Sequence, residues 1–288
     1  MFESADYQLV DFGDGRKLER FGPYLIDRPC PAAVGMRRSR PKLWSQAAAR
    51  FELYGDQQGG ERGCWVPVKA LPQRWTVVFG PLRFELKPTD FGHIGVFSEQ
   101  AANWDWIAEQ VRSSASEGRR VKVLNLFAHT GGSTLAAAQA GAEVVHVDSS
   151  KSAVAWARRN AELSGLADAP LRWIVEDAAR FVRRELNRGH RYDAVILDPP
   201  TYGHGPAGET WKLEADLPAL LAACAELTAG RRRFILLTCH TPSVTPSVAG
   251  ESVGIGFGTN RLTAGELSIE CSTGHRLPCG VVARWLAE

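Results

Sequence analysis

Beyond about residue 99, short apolar runs alternate with segments of helical period, a pattern buried by a parallel sheet with helices packed on both faces. Strands are predicted at 121–127, 143–148, 171–176, 192–198 and 234–239, with helices at 133–140, 152–164, 178–187 and 217–229 and a leading helix over 101–113. After Cys239 the helical period stops. Residues 241–258, rich in Ser, Thr, Pro and Gly, read as a loop, and 267–272 and 281–286 flank the turn-rich TGHRLPCG, which predicts an antiparallel hairpin on the sheet edge. The expected architecture is α/β: a doubly wound, mostly parallel sheet of seven strands.

The first ninety-odd residues read differently. Runs at 7–12 and 17–21 flank Asp14-Gly15, a hairpin signal because both central positions tolerate positive φ. Runs at 50–54 and 64–68 flank a Gly- and Gln-rich loop, and runs at 75–79 and 82–86 flank Gly80-Pro81. This is a β-rich module, a meander or small barrel, and the division falls at 1–98 and 99–288. With 288 residues, 44% hydrophobic and 23% charged, the chain is long enough for one large core and a smaller one.

In a sheet of this kind ligands bind beyond the carboxyl ends of the strands, so the residues just after each apolar run carry the chemistry. After the first run comes Ala128-His129-Thr130-Gly131-Gly132, where glycines permit close approach and the next helix presents free amides to a carboxylate. After the second comes Asp148, placed to accept hydrogen bonds from both hydroxyls of a ribose. After the third, Asp177 with Glu176 before it offers an acceptor to the exocyclic amine of an adenine. Each of these alone also has a plain structural reading, as turn geometry or as a helix cap. The fourth run ends in LDPPTY: Asp198 and the Pro199 carbonyl accept hydrogen bonds from an amino group, and Tyr202 offers a face on which a base stacks. A dehydrogenase of similar fold lacks support, because no GxGxxG follows the first run.

Taken as a set, these motifs resemble class I S-adenosylmethionine-dependent methyltransferases, and among them the bacterial large-subunit ribosomal RNA methyltransferases. The likeness rests on LNLFAHTGG at 124–132, the DPP with its following aromatic, GHIGVFSEQ at 92–100, HVDSSKSAVAWARRNAELSGL at 146–166 and LLTCH at 236–240. It covers residues 89–241; GHIGVFSEQ departs from the family's usual Asp-Gln-Arg ending, and the family's RNA-binding PUA domain is not recognisable in the first ninety residues. The resemblance implies S-adenosylmethionine as cofactor, held by Phe127, Ala128, Thr130, Gly131, Asp148, Ser149, Asp177 and Asp198. It implies a nucleobase of ribosomal RNA as acceptor, with Asp198, Pro199, Tyr202 and Cys239 as the catalytic set.

Carbon methylation of a pyrimidine needs a thiolate to add to the ring first, and Cys239 at the fifth strand tip is the candidate, with His240 beside it. A cysteine on a buried strand is more often a small apolar filler, so heteroatom methylation stays open. Two basic clusters suit a phosphate backbone: Arg37, Arg38, Arg40 and Lys42 with Trp44 as a stacking surface, and Arg183, Arg184, Arg188, His190 and Arg191. Arg231, Arg232 and Arg233 precede a strand at the opposite end of the sheet. The net charge of +2 does not by itself mark a nucleic-acid binder, so a protein or small-molecule acceptor, or a noncatalytic assembly role, remains an alternative. Six cysteines without CxxC or histidine spacing indicate neither zinc nor disulfides. No signal segment or membrane span is read, and the expected location is the cytoplasm.

Overall fold

The computed structural model describes residues 2–54, 62–67, 71–114, 119–205 and 208–287. The Gly- and Gln-rich connection and Val68 lie outside the described residues. The chain divides into two compact units, Met1–Ala101 with Ser268–Cys279, and Ala102–Leu267 with Gly280–Glu288.

The first unit holds a five-stranded sheet of β1 (Tyr7–Gly13), β2 (Arg16–Phe21), β3 (Tyr24–Pro29), β4 (Ala49–Leu53) and β5 (Gly63–Pro67), and a separate hairpin of β6 (Trp75–Phe79) and β7 (Leu82–Leu86). The β1–β2 turn has the expected form, with Asp14 at φ 54° and Gly15 at φ 73°. A simple meander is not what forms. Strand β3 was not predicted, because Asp27 and Arg28 interrupt its apolar pattern. Both are buried as ion pairs: Asp27 with Arg16 at 2.5 Å and Arg50 at 2.9 Å, and Arg28 with Glu19. The chain then runs through two short 3-10 turns, each with a proline at its start, and returns with β4 parallel to β3. Glu19 is fully buried, and although burial acts to raise its pKa, Arg28 and Lys17 outweigh that and hold the carboxyl below its usual range.

The second unit is the expected doubly wound sheet. Its strands are β8 (Lys122–Leu126), β9 (Glu143–Asp148), β10 (Leu171–Val175), β11 (Ala194–Leu197), β14 (Phe234–Cys239), β15 (Leu262–Glu270) and β16 (Arg276–Leu286). They lie in the order β10-β9-β8-β11-β14-β16-β15; β10, β9, β8, β11 and β14 pair in parallel, and β16 runs antiparallel to β14. A small hairpin, β12 (Tyr202–His204) with β13 (Thr210–Lys212), follows β11.

The helices are α1 (Ala101–Ser114), α2 (Gly132–Gln139), α3 (Lys151–Leu163), α4 (Ala178–Asn187), α5 (Leu213–Leu227) and α6 (Pro246–Phe257). Strand alternation splits the core. Leu124, Leu126, Val145, Val147 and Leu197 face α4, α5 and α6, whereas Val123, Val144 and Ile196 face α1 and α2. Among the described residues no helix is long and apolar enough to cross a membrane.

Helix α6 corrects the loop expected over 241–258. Thr245 caps it by accepting from the Val248 N–H at 3.3 Å, Pro246 opens it, and Gly258 at φ 60° ends it. Its glycines hid it from a propensity reading, yet close packing needs them. A Cβ on Gly256 would sit 2.6 Å from Leu221 Cβ. Propensity alone favours alanine over glycine in a helix by about 1 kcal/mol. Packing reverses the sign: Gly256→Ala is expected to lower stability by about 1–3 kcal/mol in chemical denaturation, and a stabilised variant would show that α6 does not pack on α5 as described.

Candidate active site

Strand β8 lies between β9 and β11, so the chain winds away from it in both directions and opens a crevice at the carboxyl end of that pair. The register sets the neighbours. Leu126 pairs with Val147 and with Leu197, and Leu197 pairs with Leu237. Phe127, Asp148, Asp198 and Thr238 therefore stand side by side at four adjacent strand tips.

The turn from β8 into α2 is strained. Phe127 at φ 55°, His129 at φ 46° and Gly131 at φ 89° alternate through it in the left-handed region. The two non-glycine residues cost of order 1–3 kcal/mol each unless their surroundings hold them there. Three contacts on the turn and two beneath it do so. The Ala128 N–H donates to the Val147 carbonyl at 3.1 Å, the His129 N–H donates to Asp148 Oδ2 at 2.8 Å, and buried Asn160 of α3 donates from Nδ2 to the Thr130 carbonyl at 2.9 Å. Beneath the turn, Asn125 Nδ2 donates to Thr134 Oγ1 at 2.9 Å, and that hydroxyl meets His146 Nδ1 at 2.9 Å. His146 is fully buried, its pKa is pushed down mainly by that burial to about 3, and it stays neutral. The two glycines also serve helix packing: a Cβ on Gly131 would lie 3.0 Å from Ala157 Cβ, and one on Gly132 2.5 Å from the Trp104 ring.

Asp148 is fixed from both sides, since its Oδ1 accepts the Ser150 N–H at 2.8 Å while Oδ2 holds His129. Ser149 is half-buried beside it. Asp177, after β10, caps α4 by accepting the Arg180 N–H at 2.8 Å, and Glu176 is engaged by Arg184 and, at 3.7 Å, by Arg180. Arg180 also reaches Glu209 at 3.4 Å, in the connection between β12 and β13.

On the other side of β8, Asp198 Oδ1 accepts the Thr238 hydroxyl at 2.5 Å and lies 3.2 Å from His240 Nε2. Pro199 is buried and Pro200 exposed. The Trp211 indole of β13 donates to the Pro200 carbonyl at 2.8 Å, and its ring packs on Phe127 at 4.9 Å, which ties the Asp-Pro-Pro turn to the strained one. Tyr202 is 53% exposed, and its hydroxyl meets His204 Nε2 at 3.2 Å. His129 sits within the field of both Asp148 and Asp198; burial lowers its pKa against the upward pull of those two carboxylates.

Cys239 does not join this group. It is completely buried in the apolar cluster facing α5 and α6, and burial first, then Asp198, pushes its thiol up to about 12. Such a thiol is protonated at neutral pH and surrounded by hydrocarbon.

Among residues the sequence reading missed, Asn160 left a trace, as a polar residue on the otherwise apolar face of α3. Trp211 left none, because nothing local marks a tryptophan in a three-residue strand.

Both basic clusters look different in place. Trp44 is buried, its indole donates to Asp11 Oδ2 at 2.7 Å, and the Arg38 guanidinium covers its ring at 3.9 Å, so it is no stacking surface. Arg37, Arg40 and Lys42 are exposed, and exposed aromatic rings of this unit are those of Tyr54 and Phe91, the latter under Arg62 at 5.4 Å. In the second cluster Arg184 is engaged by Glu176, Arg188 lies 3.7 Å and His190 2.7 Å from Glu185, and the segment after α4 leads to the amino end of β11, away from the crevice. Arg231, at that same end, pairs with buried Asp193 together with Arg119.

The family model for S-adenosylmethionine-dependent methyltransferases matches residues 40–253, most of the chain. The chain belongs to this family. A crystal structure of a SAM-dependent methyltransferase from Agrobacterium tumefaciens superposes with a TM-score of 0.89 at 36% identity, covering 98% of this chain and 91% of that one. Among curated relatives, Ribosomal RNA large subunit methyltransferase I of Aeromonas hydrophila is 36% identical over 118 residues, 40% of this chain and 28% of that protein. Ribosomal RNA large subunit methyltransferase K/L of Shewanella baltica is 31% identical over 147 residues, 50% of this chain and 19% of that protein. The chain thus matches less than a third of the length of these curated relatives.

The cofactor of this methyltransferase is S-adenosylmethionine. The groups at the strand tips fit it in kind: helix-end amides suit its amino-acid carboxylate and a fixed carboxylate suits ribose hydroxyls. Loss of the clamp on the turn is predicted to reach the cofactor. Asn160→Ala should weaken S-adenosylmethionine binding about tenfold in calorimetry and cost about 1–3 kcal/mol of stability; unchanged affinity would mean that the turn keeps its shape without Asn160.

Proposed function

We propose that this methyltransferase acts on a nucleobase of large-subunit ribosomal RNA, at a nitrogen or oxygen rather than a ring carbon. The observation that carries the reading is the carboxylate of Asp198, held at the tip of β11 by Thr238 and His240, with the exposed ring of Tyr202 four residues on. A planar base with a polar hydrogen suits that pair: the ring stacks, and the hydrogen meets the carboxylate or the Pro199 carbonyl. The names of the curated relatives point to the same class of acceptor. A base within a duplex would have to leave the stack to reach such a site.

The Ala128–Gly132 turn, with Phe127 and Thr130 and the amides that open α2, would hold the amino-acid end of the cofactor. Asp148, next to Ser149, would take the ribose hydroxyls, and Asp177 would approach the adenine amine with the carboxylate that also caps α4. When bound, S-adenosylmethionine supplies a methyl carbon on a positively charged sulfur, which departs with the bonding pair as the acceptor's lone pair takes the carbon. The protein's part is positional: it aligns the acceptor lone pair, excludes water and accepts the acceptor's hydrogen bond. The buried, protonated thiol of Cys239 supports a heteroatom acceptor, because ring-carbon methylation of a pyrimidine requires thiolate addition. In the first unit, Arg37, Arg40 and Lys42 would meet phosphates, and Tyr54 and Phe91 offer exposed rings for stacking.

Two measurements test this. Labelled methyl transfer to total RNA and to protein, using material from a strain that lacks this chain, is expected to mark large-subunit RNA and to disappear with Asp148→Ala; label confined to protein or small molecules would overturn the RNA acceptor. Cys239→Ala is expected to keep turnover within a few-fold of wild type, whereas a loss of a thousandfold or more would restore the nucleophile and with it carbon methylation.

A further inference from the structure

We propose that His240 is a positioning residue for methyl transfer: its imidazole and the Thr238 hydroxyl clamp one oxygen of Asp198, so that the carboxylate meets the acceptor's polar hydrogen in a single orientation. This rests on the reading of Asp198 as the group that receives the acceptor.

The strand period explains the arrangement. Residues two apart on β14 and its continuation share a face, so Thr238 and His240 turn toward Asp198 while Cys239 between them turns into the core. Both contacts converge on Oδ1, from the hydroxyl at 2.5 Å and from Nε2 at 3.2 Å.

The place of the ring is also built from behind. Cys239 pairs with Val281 across the β14–β16 ladder, and a Cβ on the preceding Gly280 would lie 3.0 Å from His240 Nδ1 and 2.5 Å from the Cys239 carbonyl. The imidazole thus occupies space that exists because position 280 carries no side chain. On its carboxyl side the backbone is tied down, since Thr241 Oγ1 meets Thr201 Oγ1 of the Asp-Pro-Pro-Thr turn at 2.7 Å. His240 and Asp198 are about one-third exposed, 35% and 33%, so an acceptor can reach them.

A carboxylate on a rotatable side chain adopts many orientations in water, and two donors on one oxygen remove that freedom before the acceptor arrives. The imidazole serves this role with hydrogen on Nε2, donating to Asp198. The charge of Asp198 also acts on His129, from the turn after β8, and on the thiol of Cys239, which points away into the core.

The test pairs kinetics with NMR. With ribosomal RNA from a strain lacking this chain, His240→Ala is expected to lower kcat/KM about tenfold, leave S-adenosylmethionine affinity within twofold, and be largely rescued by His240→Gln, whose amide restores a donor. In protein labelled with 15N-histidine, the His240 signal, identified by its loss in His240→Gln, should show hydrogen on Nε2 and lose that preference in Asp198→Ala. A Nδ1–H ring, or a tautomer indifferent to Asp198→Ala, overturns the clamp, as does unchanged kcat/KM in His240→Ala when Asp198→Ala is inactive. If instead Asp198→Ala methylates RNA normally, it is the underlying assignment of Asp198 that fails.

Discussion

The parallel pairing of β8 with β11, Leu126 opposite Leu197, is the contact on which the rest of the site depends. It joins the two halves of the doubly wound sheet, and it sets the strained turn after β8 beside the Asp-Pro-Pro turn after β11. A slip of one residue would turn every side chain of a strand to the other face. Such a slip is opposed by the division of the core, because Leu124 and Leu126 bury against one helical layer while Val123 buries against the other.

Strain at the β8 turn is held by polar contacts rather than by hydrophobic packing alone. Asp148 grips the turn through the His129 amide, Asn160 grips it through the Thr130 carbonyl, and the Asn125–Thr134–His146 chain fixes the first turn of α2 from below. Every one of these groups is buried or partly buried, where a hydrogen bond is worth more and an unmade one costs more than in water. The neutral state of His146 follows from the same burial, and it leaves Nδ1 able to accept from Thr134.

The sheet was legible in the sequence because its central parallel strands, β8, β9, β11 and β14, are largely apolar and mostly buried, and because turn chemistry marks the connections. Strand β3 and helix α6 were not, for a shared reason. Asp27 and Arg28 look like surface residues until their ion-pair partners are in place, and the glycines of α6 look like loop residues until Leu221 and Leu262 are packed against them. The strand-tip carboxylates were legible from their position after apolar runs. The residues that hold them were not: Asn160, Trp211 and the Thr238–His240 pair act across elements far apart in the chain. Trp44 misled for the opposite reason, since an aromatic among arginines reads as an open platform, whereas Asp11 and Arg38 enclose it.

The central claim is that the row of tips from β10 to β14 forms one site, with the cofactor over β8, β9 and β10 and the acceptor over β11 and β14. A crystal structure with S-adenosylhomocysteine tests it most directly. The account predicts ribose hydroxyls on Asp148, the amino-acid carboxylate at the amides that open α2, and the sulfur directed toward Asp198. Ligand density at another edge of the sheet, or a ribose that does not touch Asp148, would contradict it.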